Sequence, residues 1–185
     1  MELSDLKPQS IFKDDEFVAV WSVGILFGVV RWLEFLAVGI YAFDVTGSAF
    51  LTAVLALLRF APLALFGVLI GSLADSINTG KLLRIGCIAC AVVSLVIAGL
   101  FAAELEDFWH VAVATFISGI FWASDQPLRR KLIGEIAGHE RITSAMAADV
   151  ATSNGTRLLG PLIGGVVYQW AGGAGIFLIG AIFYA

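Results

Sequence analysis

The chain has 185 residues, 59% of them hydrophobic and only 14% charged, with mean hydropathy +0.94 and formal net charge −4. That balance excludes an ordinary soluble globular domain and gives no basic footprint for a nucleic-acid partner. Apolar runs of about 20 residues, the length that crosses about 30 Å of hydrocarbon, recur along it, so the lipid bilayer is the first partner implied.

Residues 1–16 are polar and acidic, without the apolar core and small-residue cleavage site of a signal peptide. They read as a cytoplasmic N-terminal segment. Residues 17–185 read as one all-α, polytopic transmembrane bundle, with spans expected near 17–43, 49–71, 82–103, 108–128 and 142–170. A sixth span begins near 173 and reaches 185, about 20 Å of helix at 1.5 Å per residue. The expectation is therefore an incomplete last helix in a chain cut inside it, with a C-terminal half missing. Lys7, Lys13, Lys81, Arg84, Arg129, Arg130, Lys131 and Arg141 fall on one side of this span order, whereas Asp44, Glu104, Glu106 and Asp107 fall on the other. Positively charged loops stay in the cytoplasm, so the N-terminus is expected there.

Charged residues inside the spans are costly in hydrocarbon and therefore mark a cavity or a partner. In span one, Arg31 and Glu34 are three apart and share a helical face, where they are able to pair locally. Arg59 falls near the middle of span two and Arg157 near the middle of span five. Asp149 precedes Arg157 by eight residues, on the same face and closer to the cytoplasmic mouth. With Asn154, these six residues form the expected substrate pathway. Its central charges lean positive, which suits an anionic small-molecule substrate.

Between spans two and three, the turn Gly71 to Lys81 is very short. Gly71 permits close helix packing, Asp75 is placed to cap a helix N-terminus, and Asn78 suits left-handed backbone. Arg129 or Arg130 is placed to bridge to Asp75 as a gate or else to snorkel into the headgroup layer, and Glu135, His139, Glu140 and Arg141 are expected to form a solvated loop. Cys87 and Cys90 read as small packing residues, because a metal or redox pair would need further ligands. Cofactor motifs are absent: there is no G-x-x-x-x-G-K-[ST], H-E-x-x-H or G-x-S-x-G, which argues against an ATPase or an enzyme. In span five, Gly160, Pro161, Gly164 and Gly165 weaken the helix and let another approach closely, giving an expected hinge.

Several of these stretches resemble one family. Gly71-x-Leu73-Ala74-Asp75, with Lys81 further on, resembles the loop signature of the major facilitator superfamily, in which it helps lock and release the cytoplasmic gate. Ser76, Asn78, Thr79 and Gly80 replace residues that are usually basic or glycine. Gly160-Pro161-x-x-Gly164-Gly165 resembles the fifth-helix motif of its exporters, antiporters especially, with Thr156 where an upstream glycine is expected. Phe17 to Trp21, Asp44-x-Thr46-Gly47-Ser48-Ala49, Arg59-x-x-Pro62, Pro127-x-Arg129 and Asn154-x-x-Arg157 then follow the order of the branch holding bacterial siderophore (enterobactin-type) exporters and macrolide efflux proteins. The resemblance implies the N-terminal six-helix half of a twelve-helix transporter in the bacterial inner membrane, exporting a siderophore or drug-like compound by alternating access. Protons would be the coupling ion, although Thr115 stands where many proton–drug antiporters carry a fourth-helix arginine. A non-transporting membrane half-protein that needs a partner half is the alternative.

Overall fold

The computed structural model describes residues 10–76 and 78–185, with side chains described for all of these except 68 and 70–76. A single 3-10 turn at Ile11–Lys13 leads into α1 (Asp15–Thr46), α2 (Ala49–Ser76), α3 (Thr79–Ala102) and α4 (Phe108–Tyr184).

Local chemistry sets each boundary. The Asp14 carboxylate accepts the Phe17 N–H at the start of α1, where Asp15 and Glu16 also complement the helix dipole. At its end Gly47 takes left-handed backbone (φ 61°) and donates its N–H to Phe43. α2 starts two residues later. Asn78 begins α3 as a side-chain cap, accepting the Lys81 N–H at 3.1 Å, with φ −58°. The left-handed turn expected at Asn78 is thus replaced by a cap, the other conformation in which a short amide side chain is favoured. Asp107 caps α4 through the Phe108 N–H.

α4 spans 77 residues. Unbroken it would be about 115 Å long, several bilayers thick. It is broken at Gly138 (φ 62°, ψ −178°) and Gly172 (φ 63°, ψ −167°), conformations that only glycine adopts cheaply. Three arms result, at 108–137, 139–171 and 173–184. One glycine suffices to fold each arm back, so the loop expected around 135–141 is helical, and Glu135, His139, Glu140 and Arg141 lie on helix. By length and composition, four helices of the described residues suffice to cross a membrane, the broken run among them.

α1 is the central rod. At one end Phe17 packs with Ile133, Ala137 and Ala145, and Arg141 donates to Asp14 at 3.0 Å. The start of α1 and the Gly138 break therefore share an end of the bundle. At the other end Tyr41 meets Phe101, which stacks on Phe177 of the third arm. Between these ends a glycine seam joins α1 to the second arm. A Cβ on Gly28 would lie 2.7 Å from the Thr156 hydroxyl, one on Gly160 would strike Trp32, and one on Gly164 would press on Leu33 and Leu36. Small residues four apart let the backbones approach where lipid provides no hydrophobic drive. Gly28 makes the room that Thr156 takes. The arm stays helical through Gly160, Pro161, Gly164 and Gly165, so the non-helical backbone lies at Gly138 and Gly172 rather than within the expected hinge.

Candidate functional site

The seam and the first arm hold a chain of charges across the bundle. Arg31 on α1 donates to Asp125 on the first arm at 2.8 Å. Glu34 instead sits 3.9 Å from Arg59 on α2 and accepts the Ser94 hydroxyl from α3 at 2.6 Å. The local Arg31–Glu34 pair that the spacing allows is therefore not the one formed: each residue pairs with another helix. The reason is electrostatic: a local pair would take Glu34 from the buried Arg59, which has no other carboxylate partner among the described residues, a far larger cost than a helical pair returns. Arg59 completes its contacts by donating to the Arg31 carbonyl at 3.2 Å. Gly180 of the third arm closes over Glu34, and a Cβ there would collide with the carboxylate.

Nearer the Asp14 end, Asp149 on the second arm is fully buried. It accepts hydrogen bonds from Arg129 and from Arg130 Nε, the latter at 3.1 Å. Arg129 also lies 3.8 Å from Asp125, one helical turn before it. A bare Gly24 on α1 lets the Arg129 side chain pass, since a Cβ there would lie 2.9 Å from its Cζ. Arg129 and Arg130, the candidates to reach Asp75, are thus engaged with Asp149. Gly71 and Asp75 lie outside the residues whose side chains are described, and Lys81 is placed at the α3 cap.

Arg157 is different. It shares the second arm with Asp149 but sits about 12 Å further along the axis, exposed, with its guanidinium 5.4 Å from the centre of the Trp32 ring. Among the described residues it has no carboxylate partner.

These groups border a cleft of about 220 Å³ between α1, α2 and the first two arms. Arg31, Arg129, Arg130 and Arg157 line it, and among the described residues no acidic one does. Trp32, Phe60 and Trp122 form its apolar wall, with Phe60 and Trp122 edge to face at 4.7 Å. Asn154 and Gln126 add amide groups. Trp32 also borders a second hollow of about 500 Å³, lined mostly by apolar groups including Leu36, Phe43 and Pro161 and running toward the Asp44 end. One indole therefore stands between a cationic cleft and an apolar one.

Of the expected pathway residues, Arg31, Asn154 and Arg157 line the cleft, Asp149 stands behind it, and Glu34 and Arg59 form a neighbouring buried pair. Asp125, Ser94, Trp32 and Trp122 were missed as partners. The Asp125–Arg129 spacing of four was the one available signal, while contacts of Ser94 and Trp122 with other helices leave no trace in linear spacing.

Residues 20–185 match the Major Facilitator Superfamily. The chain belongs to that superfamily. It is also similar to the Staphyloferrin A transporter of Staphylococcus aureus (strain NCTC 8325 / PS 47), with 23% identity over 165 residues. That alignment covers 89% of this chain and 42% of the relative, so the chain spans less than half the length of the curated relative it matches. No solved structure matches it. Membership of the superfamily makes this an integral membrane protein of a transporter family, and the cleft is the candidate site at which a small molecule meets it.

Proposed function

We propose that the chain is the N-terminal six-helix half of a twelve-helix secondary transporter, with the arginine-lined cleft forming this half's wall of the substrate pathway. The cleft carries the reading: a membrane bundle keeps four guanidiniums on one hollow only where solvent or substrate reaches them. The three arms of α4 then supply the fourth, fifth and sixth spans, and alternating access proceeds by rocking this half against another around the cleft.

Export of a siderophore or drug-like compound is the direction proposed, supported by the Gly160–Gly165 seam and by the Staphyloferrin A transporter among its relatives. The Asp14–Arg141 end is proposed to face the cytoplasm from a bacterial inner membrane, a reading supported by the positive charge of the loops on that side, with Asp75, Lys81, Arg129 and Arg130 at the gate. Protons are the proposed coupling ion. Glu34 is the group suited to carry one, being buried and held by α2 and α3 together.

Loading inverted membrane vesicles with and without a proton gradient tests this. Gradient-dependent accumulation of a siderophore that an uncoupler abolishes supports proton-coupled export, and accumulation indifferent to the gradient removes it. Glu34→Gln should retain exchange of labelled substrate while losing gradient-driven accumulation; unchanged accumulation would take the proton role from Glu34.

A further inference from the structure

The charge carried by the substrate follows from which groups face the cleft, an extension that rests on the transporter reading above. Among the described residues of the region, the arginines Arg31, Arg59, Arg129, Arg130 and Arg157 stand against three carboxylates, Glu34, Asp125 and Asp149. None of the three carboxylates lines the cleft. Asp149 is sealed behind Arg129 and Arg130, and Asp125 lies against Arg31 and Arg129. Asp125 and Asp149 act as anchors that hold guanidiniums in place, and the cleft receives Arg31, Arg129 and Arg130 from these pairs, while Arg59 stays with Glu34 in a neighbouring buried pair. Charges in such low-dielectric walls act strongly on what enters, repelling a cation and leaving a neutral solute without compensation.

Arg157 adds a second observation. Its guanidinium carbon lies 5.4 Å from the centre of the Trp32 ring, as that of Arg31 lies 5.6 Å from Trp122, so Arg157 is engaged by a cation–π contact and by no counter-ion among the described residues. A guanidinium is planar by itself, and one with its donors uncommitted fits an oxyanion bidentately. Phe60 and Trp122 then offer ring surface to the rest of the ligand.

We infer that the cleft binds an organic anion, with an oxyanion group on Arg157 and a flat or apolar body against Trp32, Phe60 and Trp122, and that Arg157 sets the preference for negative charge. Asn154 lies three residues before Arg157 on the same arm and supplies a further donor to the acid group.

Three probes built on one ring separate charge from shape: naphthoate, its neutral amide and the cationic naphthylmethylamine. Binding is measured on the full-length transporter purified and reconstituted in liposomes. Naphthoate should bind at least about tenfold more tightly than the amide, with the amine weaker still. R157Q should remove that preference while the protein reaches the membrane in normal amount, and R157K should keep part of it, retaining charge without the planar fork. Equal binding of the three probes, preference for the amide or the amine, no binding at all, or an undiminished preference in R157Q overturns the inference. Naphthoate bound but never moved across the liposome membrane leaves the anion site standing and removes the transporter reading. Movement of the amine or the amide without naphthoate binding does the reverse.

Discussion

Asp149 and Arg157 lie on the same arm and face opposite fates. Asp149 is fully buried and tied to two arginines, whereas Arg157 is exposed over an indole with no carboxylate within reach among the described residues. The first is a structural anchor that joins two arms across the Gly138 break. The second is a functional group left open. A charge buried in a membrane bundle is stable only when paired, so an unpaired one at a cleft marks a place where something else supplies the partner.

Substitutions should separate the two roles, in decreasing order of effect on folding. Asp149→Ala strands Arg129 and Arg130 and should cost about 3–5 kcal/mol, seen as a large fall in melting temperature in detergent. A wild-type melting temperature would show that the arms are held by something else. Ser94→Ala removes the hydroxyl that donates to Glu34 and should cost about 1.5–3 kcal/mol, the range for hydrogen bonds to charged groups. Gly28→Val presses on Thr156 across the seam and should cost about 1–3 kcal/mol by overpacking. Pairing it with Thr156→Gly should recover much of that loss, and strictly additive losses would show that the two residues do not compete for the same space. Trp32→Leu removes the ring under Arg157 and should lower stability only slightly while weakening ligand binding. Arg157→Gln should leave melting unchanged. If it destabilised the protein as Asp149→Ala does, the contrast between anchor and open charge would be lost.

Different features were legible to different depths. The helices could be read from sequence because the need to span hydrocarbon writes itself into run length, whereas the caps at Asp14 and Asp107 emerged only with the structure. The helical course of 135–141 was not, since a polar, charged stretch reads as loop until a single left-handed glycine at Gly138 is seen to make the reversal. In the site, the residue types were legible and their partners were not. Arg31 and Glu34 advertise a local pair, but Asp125, Arg59 and Ser94 on three other elements win the contacts. Eight-residue spacing likewise reads Asp149 and Arg157 as sharing a face, yet it could not show that one is taken into the core and the other, about 12 Å along the helix, to the cleft. The Thr156 departure from the glycine pattern became intelligible only with Gly28 opposite it.

The central claim, that the arginine-lined cleft is the substrate pathway, is tested most directly by thiol accessibility in membranes. With Cys87 and Cys90 replaced by alanine, single cysteines at Asn154 on the cleft and at Val96 on the outer face of α3 would be exposed to a water-soluble, membrane-impermeant methanethiosulfonate. The account predicts rapid labelling at Asn154, slowed by naphthoate, and little labelling at Val96. Labelling at Asn154 as slow as at Val96, or unaffected by any transported solute, would contradict it.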